Sequence, residues 1–182
     1  MGIPYVPVLG LAGTDLLRRR DDMKLLPDPF NPERQTVVAQ AMRPDVAVFH
    51  GLRADRSGNV FFGYENDNVL LAEASGTVIV TVEEVVDALP AEDRLGTFLP
   101  GILVDAVVEA RFGAHPAGAP GAYPVDEKHL TWYAEQSRSD EDFAEYLRQT
   151  VHDLPDHGAY VARFVPDGWG QRGQLRLQAA GD

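Results

Sequence analysis

Short runs of apolar residues alternate along the chain with polar segments that contain glycine or proline. Two of these runs, at residues 46–49 and 78–82, show no regular apolar-polar alternation. That pattern is typical of strands buried on both faces, as in a parallel sheet covered by helices. Ligands of such sheets collect beyond the carboxyl ends of the strands, so we expect functional residues among the polar positions that follow each run.

The same pattern predicts further strands and loops. An edge strand is expected near residues 3–8, because Pro4 and Pro7 cannot donate hydrogen bonds to a neighbouring strand. Clustered prolines predict an irregular loop at residues 21–35, and glycine with proline predicts a surface loop at residues 111–124. Further strands are predicted at residues 36–41, 60–62 and 102–109.

The remainder of the chain follows the 3.6-residue period of amphipathic helices. Apolar residues recur at helical spacing from Asp126 onward. Pro155 ends one of these helices, and Ser139 and Asp156 are candidate N-caps. Shorter helices are predicted at residues 16–20 and 67–75. We therefore predict the α/β class, with an open, mostly parallel sheet flanked by helices and a C-terminal helical segment.

Size and charge narrow the function classes. The 182 residues suffice for one buried core, and we expect a domain at residues 1–164 followed by a tail at residues 165–182. The formal net charge of −12 argues against nucleic acid and against an anionic membrane surface as partners, since both attract positive patches. An anionic small molecule remains compatible, because backbone N–H groups can bind phosphates.

The chain contains no cysteine, which excludes disulfides, thiolate catalysis and cysteine-based metal sites. Nothing in it resembles a signal peptide or a membrane-spanning helix, so we expect a cytoplasmic protein. No serine stands in a nucleophile-elbow motif. We also predict no metal site, because the following histidines lack the spacing of zinc ligands: His115, His129, His152 and His157.

Polar residues after the first apolar run form one candidate site. His50, Arg53 and Asp55 follow residues 46–49, and Gly58 with Asn59 marks a turn. These side chains either bind a ligand or stabilise the loop through ion pairs and backbone hydrogen bonds.

Carboxylates after the second apolar run, residues 78–82, form another candidate site. Glu83 and Glu84 are adjacent, so on a strand at most one of them faces a given site as nucleophile or base. Alternatively, both are solvated acids at the start of a helix. Glu65 is a further candidate acid. Gly10 and Gly13 lie in a turn where the backbone can approach a ligand closely.

Several segments, taken in order, resemble those of a known family. They are GIPYVPVLGLAGTDL, RPDVAVFHGLRADRSGNV, LLAEASGTVIVTVEEVVD, LPGILVDAVVEARFGAHP and DHGAYVARF. Over roughly residues 1–164 they resemble the alpha subunits of family I coenzyme A transferases, in particular the glutaconate CoA-transferase-like members and the related acyl-CoA hydrolases and decarboxylases. The family's usual N-terminal portion, which precedes the first of these segments, is not part of the resemblance.

The resemblance implies a heteromeric enzyme whose substrate is a coenzyme A thioester and which binds no cofactor covalently. In the transferases the thioester is attacked by a glutamate of the beta subunit, and the glutamyl-CoA intermediate then passes CoA to a second acid. No residue here inherits that role, so the catalytic residue stays unknown, with Glu83 and Glu65 as candidates. The implied shell around substrate and CoA consists of Gly10, Gly13, Thr14, His50, Arg53, Asp55, Asn59 and Glu83.

The partners implied by the resemblance are a separate N-terminal alpha segment and a beta-type subunit. Two other functions stay open. Because a fold does not fix a reaction, the chain also fits a decarboxylase, a hydrolase or another biosynthetic enzyme of the same fold. The absence of an inherited nucleophile also fits a non-catalytic structural subunit.

Overall fold

The computed structural model describes residues 2–63, 68–91, 93 and 96–169. The chain divides into two compact units, Met1–Pro44 and Asp45–Asp182. The strands are β1 (Tyr5–Val8), β2 (Met23–Pro27), β3 (Gln35–Gln40), β4 (Val46–Asp55), β5 (Val60–Gly63), β6 (Thr77–Val86), β7 (Thr97–Leu99) and β8 (Ala106–Glu109). The α-helices are α1 (Leu16–Arg19), α2 (Asn68–Ala74), α3 (Glu127–Gln136), α4 (Asp140–Leu147) and α5 (His157–Phe164). Most of the predicted tail lies outside the described residues.

The first unit contains a three-stranded antiparallel sheet in the order β1-β3-β2. β1 lies at one edge, as its prolines predicted, with Pro7 opposite Val38. The prediction of an irregular loop over residues 21–35 is wrong in its first part, because β2 pairs with β3 there. Pro27 is the last residue of β2, so proline limits this strand without preventing it.

The second unit contains a five-stranded sheet in the order β7-β5-β4-β6-β8. β4, β6 and β8 run parallel to one another, whereas β5 is antiparallel to both β4 and β7. The predicted α/β class is confirmed, and the sheet is mixed, with both apolar runs in its parallel half. β7 escaped prediction because a strand of three residues is too short to show a period.

β4 and β6 continue past the apolar runs that predicted them. Their register pairs His50 with Thr81 and Arg53 with Glu84. The expectation that these polar residues follow the ends of the strands is therefore wrong. The ladder extends because polar side chains at these positions find partners inside the fold, as His50 does in Thr81.

The strand predicted at residues 102–109 is only partly a strand. Gly101–Leu103 forms a 3-10 helix, and β8 begins at Ala106. Between them, the Asp105 carboxylate accepts a hydrogen bond of 2.7 Å from the backbone N–H of Val78. This contact ties the start of β8 to the start of β6.

The helices predicted after Asp126 are confirmed. Asp126, Ser139 and Asp156 are N-caps whose side chains each accept a hydrogen bond from a backbone N–H of the first helical turn. A π-helical turn, Arg148–His152, continues α4 and ends ahead of Pro155. Within the described residues, no helix combines the length and the apolar character needed to cross a membrane.

Two hydrophobic clusters cover parts of the five-stranded sheet. The first joins α2 to β4 and β6 and includes Ala72, Phe49 and Val80. The second joins Leu52 of β4 to aromatic side chains from later in the chain. Together they form the core of the second unit.

The glycine- and proline-rich segment at residues 111–124 belongs to this second cluster. Phe112, Ala119 and Tyr123 are buried there, so the prediction of a surface loop is wrong. The backbone follows turns, as glycine and proline predict, but the aromatic side chains bury enough apolar area to hold the segment against the sheet.

Candidate functional site

Glu83 lies at the centre of a buried hydrogen-bond network. Its Oε1 atom accepts hydrogen bonds from His50 Nε2 at 2.6 Å and from the Tyr123 hydroxyl at 2.9 Å. Its Oε2 atom accepts one from the backbone N–H of Phe112 at 2.8 Å. Only 8% of Glu83 is exposed. Both carboxylate oxygens are therefore engaged by groups of the fold.

The opposite edge of the His50 ring meets Thr81. His50 Nδ1 lies 2.8 Å from Thr81 Oγ1, which also lies 3.2 Å from the carbonyl oxygen of Phe49. The Thr81 hydroxyl carries one proton, so it donates either to the Phe49 carbonyl or to the His50 ring. In both arrangements His50 is held at both ring nitrogens and joins β4 to β6.

Tyr123 is a hydrogen-bond donor to Glu83. Burial, together with the adjacent Glu83 carboxylate, raises the pKa of the Tyr123 phenol well above its usual value. The phenol stays protonated and also accepts a hydrogen bond of 2.9 Å from the backbone N–H of Ala114. Through Phe112 and Tyr123, Glu83 holds both ends of the segment 112–123, which we call the clasped segment.

The start of the clasped segment has an unusual backbone. Phe112 has a φ of 62°, in the left-handed region that residues other than glycine seldom adopt. A Cβ atom added to Gly113 would lie 2.8 Å from Cε1 of the His50 ring. The contact with Glu83 and the close approach of Gly113 to His50 hold the backbone in this conformation.

Arg53 forms an ion pair within the fold. Its Nη1 atom lies 3.0 Å from Oδ2 of Asp93, and its Nε atom lies 3.5 Å from Oε2 of Glu84. Asp93 is fully buried, and a buried carboxylate requires a paired cation. The geometry therefore favours the interpretation in which Arg53 stabilises the fold.

Asp55 organises the turn that follows β4. Its Oδ1 atom accepts hydrogen bonds from the backbone N–H groups of Ser57 and Asn59, and its Oδ2 atom accepts one of 2.9 Å from the Asn59 side chain. Burial opposes ionisation of Asp55, but these hydrogen bonds outweigh it and hold the pKa of Asp55 below its usual value. Asn59 in turn accepts a hydrogen bond of 2.9 Å from the backbone N–H of Gly101.

Gly10, Gly13 and Thr14 form an exposed turn in the first unit. Gly10 and Gly13 have φ values of 85° and 82°, and a Cβ atom added to either would meet no atom within 4 Å. Backbone conformation, rather than crowding, therefore requires glycine at both positions. The Thr14 hydroxyl closes the turn by donating to the carbonyl oxygen of Leu11 at 2.8 Å.

The predicted site residues of the second unit fall into three groups with different partners. These groups are His50 with Glu83, Arg53 with Asp93, and Asp55 with Asn59. Glu65, the other candidate acid, lies outside the described residues. The assignment of all these residues to a substrate site stays a prediction.

Thr81, Asp93 and Tyr123 complete these groups and were missed by sequence reasoning. Asp93 and Tyr123 each lie 40 residues beyond the side chain that they contact, a separation that leaves no spacing signal in one sequence. Thr81 did leave a signal. It interrupts an apolar run two positions before Glu83, and alternate residues share one face of a strand.

A second polar cluster lies among the C-terminal helices. His115 is 2.8 Å from the Tyr160 hydroxyl and 3.2 Å from an Asp126 oxygen, and His129 is 3.0 Å from the Tyr146 hydroxyl. Burial raises the pKa of Tyr160 to about 12, whereas burial and then the neighbouring His115 lower the pKa of His129. In the described part of the chain, no three or more histidine, aspartate or glutamate side chains are grouped to hold a metal ion.

Comparison with known proteins places this fold in a family. A sequence profile of the coenzyme A transferases matches residues 26–110. The matching subunit of glutaconate CoA-transferase from Acidaminococcus fermentans is 33% identical over 181 residues, and the alignment covers 90% of this chain and 57% of the relative. This chain belongs to the coenzyme A transferase family. A further family member, the corresponding subunit of 3-oxoadipate CoA-transferase from Pseudomonas knackmussii, is 31% identical, with 90% of this chain and 58% of the relative covered.

Two solved structures support the same assignment. The crystal structure of glutaconate coenzyme A-transferase from Acidaminococcus fermentans matches with a TM-score of 0.79 at 32% identity, covering 88% of this chain and 56% of that chain. The decarboxylase AibA/AibB matches with a TM-score of 0.69 at 35% identity, covering 81% and 53%. The chain thus spans about half the length of the curated relatives it matches. The resemblance to family I alpha subunits is confirmed.

Proposed function

We propose that this chain is the alpha-type part of a heteromeric enzyme that acts on acyl-CoA thioesters. It supplies one wall of a substrate site that a beta-type subunit completes. The observation that carries this proposal is the match of 88% of the chain, at a TM-score of 0.79, to glutaconate coenzyme A-transferase. A cytoplasmic location is part of the same proposal.

The geometry of Glu83 favours a role for this chain in positioning other groups rather than in attacking the thioester. A carboxylate that attacks a thioester needs a free oxygen facing the substrate. Both oxygens of Glu83 already accept hydrogen bonds from His50, Tyr123 and Phe112. We therefore treat Glu83 as a positioning residue and assign the attacking carboxylate to the beta-type subunit.

The other predicted shell residues have two different parts in this proposal: some fix the backbone around the site, and others face the substrate. Arg53 and Asp55 are held by Asp93 and Asn59, so their part in the proposal is to fix the backbone around β4. The turn with Gly10 and Gly13 is exposed, and a Cβ atom added to either glycine would meet no atom within 4 Å, so a ligand has room beside this backbone. We propose that this turn faces the CoA thioester.

Reconstitution tests the proposal directly. The chain is co-expressed with the beta-type protein and a tag on this chain is used to purify the complex. The purified complex is then assayed for CoA exchange between an acyl-CoA and a free carboxylic acid. Stable co-purification with exchange supports the proposal, whereas a lone chain that neither binds the partner nor responds to CoA overturns it.

A second function on the same fold is favoured by the match to the decarboxylase AibA/AibB. In that case the complex decarboxylates or hydrolyses an acyl-CoA without forming a thioester between CoA and a protein carboxylate. Treatment with hydroxylamine or borohydride after acyl-CoA addition distinguishes the two, because only the transferase accumulates a glutamyl thioester that these reagents trap. A modified glutamate in the beta-type subunit, identified by mass spectrometry, excludes the second function.

A further inference from the structure

The antiparallel sheet of the first unit has an outer edge on β2. In the described part of the chain, β2 pairs with β3 alone. The backbone N–H of Gln40 donates to the carbonyl oxygen of Asp22 at 2.8 Å, just before β2 begins. Since hydrogen-bonded pairs alternate along an antiparallel ladder, Met23, Leu25 and Pro27 direct their backbone groups away from β3. The edge of β2 therefore presents outward-facing backbone groups centred on Leu25.

The two edges of this sheet differ in their protection against further pairing. On β1 the N–H of Ala41 donates to the carbonyl oxygen of Pro4, so the same alternation turns Pro7 outward. Proline has no N–H to offer a neighbouring strand, and it protects this edge. On β2 the proline is the last residue, Pro27, so the central N–H of Leu25 can still donate to a second strand.

The edge of β2 is complementary to itself. When two copies of β2 pair antiparallel about a twofold axis at Leu25, the two Leu25 residues exchange two hydrogen bonds. Met23 of each copy then lies opposite Pro27 of the other, and its N–H donates to the carbonyl oxygen of the proline. No N–H is required from Pro27 in this register. Leu25 and Leu26 are 47% and 40% exposed in the single chain, and the pairing gives both of them cover.

The charges at each end of this pairing balance. In the same register Asp22 lies opposite Asp28 of the second copy, and Lys24 lies diagonally across from that Asp28. Arg20 already binds Asp22, with its Nε atom donating to Oδ1 at 2.8 Å. Two cations therefore accompany two carboxylates at each end, and the contact carries no net charge.

The loop that follows β2 holds an aromatic side chain in solvent. Phe30 is 96% exposed. Its position is nevertheless fixed, because Asp28 Oδ1 accepts hydrogen bonds from the backbone N–H groups of Phe30 at 2.8 Å and of Asn31 at 3.2 Å. The Thr36 hydroxyl donates to the other oxygen of Asp28 at 3.3 Å. An aromatic side chain held outward by a preorganised loop is typical of an interface anchor.

A pocket that fits this anchor lies at the opposite end of the same sheet. It has a volume of about 550 Å³ and is lined by Pro4, Asp22, Gln40, Ala41, Met42 and Arg43. Phe30 follows Asp28 by two residues, and the twofold pairing puts Asp28 opposite Asp22 of the second copy, in the wall of this pocket. Each copy thus brings its Phe30 to the pocket of the other. There Met42 offers an apolar contact and Arg43 a cation for the face of the ring.

We propose that two copies of this chain associate through the β2 edge, with Leu25 on the twofold axis and Phe30 of each copy in the pocket of the other. Such an interface is isologous, because the anchor and the pocket belong to the same surface and each is used twice. The inference goes beyond the proposed function, since it concerns contacts between copies of this chain and involves no step of acyl-CoA chemistry.

Disulfide trapping tests the pairing, because the chain has no cysteine of its own. The Cα atoms of a hydrogen-bonded antiparallel pair lie about 5.5 Å apart, within the range of a disulfide. Leu25→Cys should therefore form a disulfide-linked dimer under mild oxidation at micromolar concentration. Tyr5→Cys is the matched control, because Tyr5 is 50% exposed at the β1 edge. It should crosslink at least about tenfold more slowly, since no preformed contact holds its two thiols together.

Removing the aromatic ring tests the anchor. Phe30→Ala should raise the dissociation constant of the dimer by about thirtyfold or more, as truncation of an aromatic hot spot does. Sedimentation velocity over a dilution series of the purified chain measures this constant. Leu9→Ala is the matched control, because Leu9 is 97% exposed in another turn of the same unit. It should leave the constant unchanged.

Several outcomes would overturn the proposal. They are a chain that stays monomeric throughout the dilution series, equal crosslinking from positions 25 and 5, or an unchanged dissociation constant for a Phe30→Ala chain that circular dichroism shows to be folded. The trapping is repeated in the complex purified with the beta-type protein. Crosslinking of the isolated chain but not of the complex would mean that another subunit occupies the β2 edge, and this would also overturn the proposal. Because neither readout depends on turnover, a complex without CoA exchange contradicts the proposed function alone.

Discussion

The two halves of one face of the five-stranded sheet differ in how far they are covered. At the carboxyl half, Glu83 and His50 join the strands to the clasped segment, and their polar atoms find partners within the chain. At the amino half an apolar patch, which we call the open face, remains exposed: Val46, Val48 and Val108 are 51%, 66% and 49% exposed. The polar residues that predicted a ligand site are thus occupied by the fold. The exposed apolar residues belong to strands that the sequence pattern predicted to be buried on both faces.

The largest loss of stability should follow from removing the Glu83 carboxylate from the polar half of this sheet face. Glu83→Ala removes one acceptor from each of three buried or partly buried donors: His50 Nε2, the Tyr123 hydroxyl and the Phe112 N–H. Leaving buried donors unpaired costs about 1–3 kcal/mol each, so we expect the free energy of unfolding to fall by about 3 kcal/mol. Urea denaturation of the purified chain, followed by tryptophan fluorescence, measures the change.

Asp87→Ala is the matched control for this variant. Asp87 pairs with Arg56 at the surface, and an exposed pair is worth about 0–1 kcal/mol. Equal losses for the two variants would show that the Glu83 network contributes no more than a surface ion pair. In the assembled complex, Glu83→Ala should also lower turnover. Unchanged turnover with intact assembly would favour the non-catalytic structural subunit.

A second pair of substitutions compares the two faces of the sheet. Val80→Ala removes buried methyl groups from the covered face and should destabilise the isolated chain by about 2 kcal/mol. Val48→Ala on the open face should change the stability of the isolated chain by less than about 0.5 kcal/mol. Urea midpoints of both variants provide the measurement. A loss of similar size at Val48 would mean that the open face is already covered within the chain.

A smaller effect is expected from crowding the clasped segment. Gly113→Ala places a methyl group 2.8 Å from the His50 ring, and such overpacking costs about 1–3 kcal/mol. A double-mutant cycle with His50→Ala isolates this contact, because removing the ring removes the clash. We expect the two changes to be less destabilising together than the sum of the single changes. Strict additivity would place the cost elsewhere, for instance at Ala110, whose carbonyl oxygen also lies near the added methyl group.

Local signals in the sequence predicted the elements that depend on local chemistry. Ser139 and Asp156 cap their helices because capping involves only the next three residues. β3 follows its apolar pattern, and the edge position of β1 follows its prolines. β2 was missed because its only proline stands at its last position, where a strand tolerates it.

Contacts between remote residues could not be predicted in this way. The full lengths of β4 and β6 depend on Asp93 and Tyr123, which accommodate Arg53 and Glu83 inside the fold. Neither partner can be located from spacing, so the polar residues looked like strand ends. Apolar patterning likewise predicted that the strands are buried on both faces, but it contained no information that cover for one of these faces is missing from the described chain.

The smallest effect concerns a second anchor of the clasped segment, His115, which packs against His129. Burial, and then His115, lower the pKa of His129, so the folded chain binds a proton there less readily than the unfolded chain does. Neutral His129 therefore leaves the folded chain at its full stability above the ordinary histidine pKa of about 6.5. As the pH falls below that value, the unfolded chain takes up the proton more readily and the stability of the fold declines progressively. The urea midpoint of the chain should fall as the pH is lowered from about 7.5 to about 5.5. The midpoint of His129→Gln, whose side chain can still bond the Tyr146 hydroxyl, should fall less. Identical pH profiles for the two proteins would show that His129 is not the group responsible.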